Sequence, residues 1–185
     1  MKKHTDRIIL GIDPGTNIMG FGILGISGNN LTVISLGVLD LRRKKDPYIK
    51  LKHIFEETTA LIDKYHPDDL AIEAPFFGKN VQSMLKLGRA QGVAISAALS
   101  RSLPMFEYAP RKIKMAITGQ GAASKEQVAS ILCKILAIEL ESVSLDATDA
   151  LAAALCHFYQ DKAIKTTGSY RGWDDFLKKN PGRAV

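Results

Sequence analysis

Between Ile8 and Ile12 the chain is apolar at every position, Ile-Ile-Leu-Gly-Ile, and the run stops at Asp13-Pro14-Gly15. A strand with one wet face alternates apolar and polar residues, whereas an unbroken apolar run belongs to a strand covered on both faces. Such a strand needs layers of structure above and below it, and the rest of the chain supplies them. Gly20–Ile26 is a second apolar run, and Gly28-Asn29-Asn30 provides turn chemistry before a third from Leu31 to Leu41. Turns this short predict an antiparallel meander.

The periodicity then changes. Asp46-Pro47 offers an N-cap and a proline at the first helical position, and Leu51, Ile54, Phe55, Thr58, Leu61, Ile62 and Tyr65 follow at helical spacing until Pro67. A short strand ends at Glu73, a helix is predicted over roughly 81–102, and Met105–Tyr108 reads as a fifth strand. Pro110–Ile117 is helical in pattern, and Ser124-Lys125-Glu126-Gln127 is a capping box opening a helix to about Leu136. The last helix is expected from about Asp146 to Gln160. Strands and helices in this order give an α/β fold, with one domain over residues 1–162 and a polar, basic tail over 163–185.

Composition narrows the chemistry. The formal charge of +6 favours a polyanionic partner, since Lys and Arg gain free energy by displacing counterions from phosphates. The two cysteines, Cys133 and Cys156, lie in apolar helical runs without Cys-x-x-Cys spacing, which predicts packing and no zinc site. The apolar run after the first residues is too short for a signal-peptide core or a membrane span, so a cytoplasmic protein is expected.

Four acids stand out by position. Asp13 and Glu73 each follow an apolar strand at its carboxyl end, the edge at which open α/β sheets build their sites. Asp146 and Asp149 are three residues apart at a helix start and so share a face. Singly, each has a structural reading as a turn former or helix cap. Jointly, carboxylates suit hard cations such as Mg²⁺, and two such ions about 4 Å apart can activate an attacking water and stabilise a leaving oxygen in phosphodiester hydrolysis.

Five blocks occur in order: Gly11-Ile12-Asp13-Pro14-Gly15-Thr16; Ala71-Ile72-Glu73; Lys86 to Ala94; Phe106-Glu107-Tyr108-Ala109-Pro110; and Asp146-Ala147-Thr148-Asp149-Ala150-Leu151-Ala152. Together, from about Ile8 to His157, they resemble the RuvC family of Holliday-junction resolvases. The resemblance implies a ribonuclease H-like fold, a five-stranded mixed sheet flanked by helices, and a homodimer making paired symmetric nicks in four-way junction DNA. It implies Asp13, Glu73, Asp146 and Asp149 as catalytic metal ligands, with two Mg²⁺ per active site and Mn²⁺ as a substitute. Some relatives carry His at the position of Asp149. A junction-contacting aromatic falls on Phe76, with Phe77 beside it, and basic DNA contacts fall on Lys114 and Lys125. Arg111 extends that patch, and a branch-migration helicase complex, RuvA–RuvB, is the partner the family implies.

The small residues Gly88, Ala90, Gly92, Ala94, Ala97 and Ala98 permit close helix approach, either across a dimer interface or against the sheet. The basic run Arg42-Arg43-Lys44-Lys45 is either a DNA contact or a solvated turn. Two other functions fit part of the pattern. An actin-like phosphotransferase uses a similar Asp-x-Gly-x-Thr loop but needs a second phosphate loop and a nucleotide-binding half that these 185 residues lack. A junction-binding module without cutting activity has no reason to keep all four acids.

Overall fold

A computed structural model of the chain describes residues 5–75, 80–139 and 143–166, with side chains to 162. Of the expected 163–185 tail, the backbone of residues 163–166 belongs to the last helix, and the rest lies outside the described residues, as do Phe76 and Phe77. Strands β1 (Arg7–Asp13), β2 (Ile18–Ser27) and β3 (Asn30–Asp40) form the antiparallel meander. Helix α1 (Pro47–Tyr65) leads to β4 (Asp69–Glu73), α2 (Val81–Ser100) to β5 (Met105–Tyr108), and α3 (Pro110–Thr118), α4 (Lys125–Leu136) and α5 (Leu145–Thr166) follow among the described residues. The sheet order is β3-β2-β1-β4-β5, with β4 parallel to both β1 and β5. This is the five-stranded mixed sheet of a ribonuclease H-like fold, with β1 at its centre as its unbroken apolar run requires.

The two faces of β1 enter two cores. Leu10 and Ile12 join Ile54 and Ile62 of α1 and Ala90, Ala94 and Ala98 of α2 on one side. Ile9 joins α3, α4 and α5 through Ile113, Leu132 and Leu155 on the other. Local signals place the helix ends. Asp46 accepts from the backbone N–H of Tyr48 and Ile49, His66 closes α1 in the left-handed conformation before Pro67, and Ser124 and Gln127 form the reciprocal capping box.

Helix α5 is buried on all sides from Ala150 to His157, so it shows little amphipathic periodicity. Glycines bring it close to the sheet. A Cβ at Gly20 would lie 1.9 Å from the Asp146 carbonyl oxygen, one at Gly11 2.0 Å from that of Ala150, and one at Gly22 2.9 Å from Leu151 Cα. Side chains there would lift the helix off β1 and β2, so this seam sets the depth of its first turn.

Buried polar groups tie down the far end of β1. Arg7 donates through Nε to Asp69 Oδ2 at 2.7 Å, pairs with Asp161, and lies 3.1 Å from His157 Nε2. Because arginine only donates, the neutral His157 carries its proton on Nδ1, 2.7 Å from the Tyr108 hydroxyl. Cys133 and Cys156 are buried free thiols, in keeping with the packing role expected of them.

Candidate active site

The register makes the site. Ile12 is paired with Ile72 on the parallel neighbour, so the next residues, Asp13 and Glu73, end adjacent strands at the same sheet edge. The glycine seam then sets the start of α5 against β2, with the Asp146 backbone over Gly20, the residue paired with Asp13. Ser144 caps this helix, its Oγ accepting from Ala147 N–H at 3.3 Å, which leaves the Asp146 carboxylate free of that task. One carboxylate oxygen each from Asp13, Asp146 and Asp149 lie within 4.8 Å of one another. Glu73 stands beside this trio and interacts with both Asp13 and Asp149 through its charge.

Such crowding of carboxylates is unfavourable without cations. Burial, then the charges of Glu73 and Asp149, push Asp13 from the ordinary 3.8 to about 8, against the opposing pull of Lys125. Burial and Asp149 raise Glu73 to about 7, with Lys125 and Lys114 pulling the other way. Burial also raises Asp149, overcoming its hydrogen bond from Lys125. Among the described residues, no hydrogen bond reaches the Asp13 or Glu73 carboxylates. Oxygen ligands this close, poorly compensated and partly dehydrated, fit a hard divalent cation.

Among the described residues, Lys125 is the cation that pairs with the cluster. Its Nζ lies 2.5 Å from Asp149 Oδ2 and 3.8 Å from Asp146 Oδ1. Burial alone would lower its pKa, but the Asp149 hydrogen bond and the aspartate charges raise it, so the side chain stays an ammonium. Gly119, left-handed at φ 73°, ends α3, and Thr118 Oγ1 bonds Gln120 on both sides of the turn leading to the Ser124 cap. Lys114 is close enough for its charge to act on Glu73 and Asp149. Arg111 folds over Gly121, whose added Cβ would meet its Cγ at 2.6 Å. Thus Arg111 flanks the loop between α3 and α4 and is not among the carboxylates' charge partners.

Two supporting groups escaped the sequence reading. Gln91, buried on α2, donates from Nε2 to the Glu73 carbonyl at 3.3 Å and so secures the end of β4. Its signal was a polar side chain within an otherwise apolar helix face. Lys50 donates to the Thr16 carbonyl and to Asn17 Oδ1, both at 2.9 Å, and braces the loop that follows Asp13. Of the basic run, Arg42 is held by the Asp40 carboxylate at 2.7 and 3.0 Å, while Lys45 faces a cleft shared with Lys50.

Residues 9–157 match the family model described as crossover junction endodeoxyribonuclease RuvC. A protein of that name from Cytophaga hutchinsonii is 58% identical, over 98% of this chain and 90% of its own length. Another from Bacteroides fragilis is 59% identical, over 96% of each. Among solved structures, T. thermophilus RuvC in complex with Holliday junction substrate superposes with a TM-score of 0.79 at 26% identity, covering 85% of this chain and 96% of that one.

Proposed function

Because the chain belongs to the RuvC family of crossover junction endodeoxyribonucleases, we propose that it resolves four-way Holliday junctions by paired, symmetric, metal-dependent nicks, in recombination and repair of DNA. The observation that carries this reading is the approach of the Asp13, Asp146 and Asp149 oxygens to within 4.8 Å at the sheet edge that also bears Glu73. The T. thermophilus relative bound to junction substrate supports the choice of DNA.

Asp13, Glu73, Asp146 and Asp149 would hold the metal, with Mg²⁺ as the natural ion, two per site, and Mn²⁺ as a substitute. Divalent ions there supply a more acidic attacking water and charge for the leaving oxygen. The chain's own residues do the positioning. The glycine seam and Ser144 fix the two α5 aspartates, and Gln91 holds the strand end that bears Glu73. Lys125 balances part of the carboxylate charge before DNA arrives, and its half-exposed ammonium is placed to meet the scissile phosphate. Lys114 and Arg111 extend the same basic flank, and Phe76 and Phe77 follow Glu73 closely enough in sequence to serve as stacking rings at the junction.

Two nicks require two sites, and α2 supports a homodimer. Val81, Leu85, Gly88, Gly92 and Leu99 fall within one narrow sector of the helix, the three large residues being exposed by 65%, 55% and 60%. A Cβ at Gly88 or Gly92 would meet nothing within 4 Å, so the stripe is open to a second backbone. The family membership supports work on chromosomal junctions in the cytoplasm alongside the RuvA–RuvB branch-migration complex; separately, no described helix is long and apolar enough to cross a membrane. The nuclease domain is residues 1–162, followed by the basic tail.

The test is cleavage of a synthetic four-way junction in Mg²⁺ against a linear duplex of the same sequence, with nicks mapped on every strand. Paired nicks at symmetric positions in the junction, and an intact duplex, are expected. Equal cutting of both substrates, or none of either across varied sequences, would refute the reading.

A further inference from the structure

We propose that the cleft between the N-terminal halves of α1 and α2 is a second DNA-backbone site, which seats phosphodiesters of a junction strand away from the bond being cut. It rests on the junction-cutting reading above and deepens it. The cleft encloses about 430 Å³ and is lined by four cations, Lys45, Lys50, Lys86 and Arg89, from three separate segments. None of the lining residues is acidic. The carboxylate nearest in sequence, Asp46, is turned into α1, accepting from Tyr48 and Ile49 N–H at 2.7 and 3.1 Å.

Several other surface cations face carboxylates. Arg42 faces Asp40, Arg101 faces Asp63 and Lys52 faces Glu56. Among the described residues Lys45, Lys86 and Arg89 take part in no ion pair. Lys50 is held by two neutral oxygens, so its charge also remains uncompensated. Four like charges around one concavity repel one another and concentrate positive potential there, an arrangement that a polyanion relieves.

Location selects the polyanion. Thr16 and Asn17, which form one wall, lie three and four residues beyond Asp13 in the β1–β2 connection. The cleft therefore opens at the sheet edge that carries the acids, but on the α1 and α2 side, whereas Lys114 and Lys125 stand on the α3 and α4 side. A strand crossing the carboxylates meets cations on both flanks. Four spread charges match a run of backbone phosphates better than one isolated phosphate. Ser83 and the exposed Tyr48 add a hydroxyl and a ring at the rim, suited to phosphate oxygens and sugars.

The test measures full-length protein binding to an uncut four-way junction in EDTA over a range of salt. The Lys86→Gln/Arg89→Gln variant keeps good helix formers at exposed positions, Lys45→Gln perturbs a loop only, and Lys134→Gln removes an exposed charge from α4 as the control. Each lost phosphate contact lowers the magnitude of the slope of log K against log salt by about 0.9. The double variant should lose close to two and Lys45→Gln close to one, with at least about tenfold weaker binding by the double variant near 0.1 M salt. Phosphates whose ethylation blocks the wild type, away from the nicked bond, should become indifferent in the double variant. Slopes equal to that of Lys134→Gln, or weaker binding with an unchanged slope, would overturn the proposal. Cutting by the wild type in Mg²⁺ is scored separately. Its absence refutes the junction-cutting reading, whereas normal cutting with unaltered variant slopes refutes the cleft alone.

Discussion

Replacing Asp13 by Asn should stabilise the metal-free protein while abolishing its response to Mg²⁺. The carboxyl is raised from 3.8 to about 8, first by burial and then by Glu73 and Asp149, so its ionised form is disfavoured in the fold relative to the unfolded chain. The sign follows from linkage. Between those two values the folded state holds a proton that the unfolded state has released, so wild-type stability falls as pH rises from about 4 to 8. At about 1.4 kcal/mol per pKa unit the upper bound is about 6 kcal/mol. Solvent on the open side of the site and relaxation of neighbouring charges reduce this to roughly 2 kcal/mol. An amide of the same shape carries no such penalty, so the Asn variant should gain about 2 kcal/mol at pH 8 and little at pH 4. For a chain of this size the gain is about 4–8 °C in melting temperature. The assay is urea and thermal unfolding in EDTA and then in excess Mg²⁺. The ion should raise the wild-type transition and leave the variant nearly unmoved. Equal wild-type and variant stability at pH 8, or equal stabilisation by Mg²⁺, would refute the reasoning.

Cleavage at limiting Mg²⁺ should increase with pH through about 7–8, because protons on Glu73 and Asp13 compete with the ion, and more Mg²⁺ should move the rise to lower pH. A profile flat from about pH 6 to 8.5 would contradict this. Gly20→Ala places a Cβ 1.9 Å from the Asp146 carbonyl, and should lower stability by about 2–3 kcal/mol in chemical unfolding and cut more slowly. An unperturbed variant would show that α5 is not seated by the seam. Leu85→Arg, in the exposed α2 stripe, should change monomer stability by less than about 0.5 kcal/mol yet give a monomer in sedimentation, whereas an unchanged mass would exclude the stripe as the dimer contact.

Most of the architecture was legible because local chemistry and global fold agree. The apolar run of β1, the Asp46-Pro47 start, the Ser124 capping box and the turn at Gly28 each marked an element that the structure contains. Boundaries moved by a few residues where ends carry no strong signal. Helix α5 starts at Leu145, one residue early, because Ser144 is its cap, and it runs on to Thr166. The acids could be singled out from strand ends and three-residue spacing, but their convergence depends on pairing between positions some 60 residues apart. Nor could spacing show that Gly11, Gly20 and Gly22 form one seam, since that follows only from the β1–β2 register. The cationic cleft was hidden for the same reason. Lys45 belongs to the basic run and Lys86 and Arg89 to one of the five blocks, but nothing in their spacing joins them to Lys50, and the four meet only when α1 packs on α2. Spacing alone also did not show that the Arg111 side chain lies over Gly121 in the α3–α4 loop.

The most direct measurement starts from protein and a labelled four-way junction assembled in EDTA, with Mg²⁺ then added to the wild type and to Glu73→Gln. Both should bind without cutting in EDTA, and on addition of the ion only the wild type should release paired nicks, with the variant slower by at least about a hundredfold. Nicking in EDTA, or wild-type rates from Glu73→Gln, would contradict a metal centre built on these carboxylates.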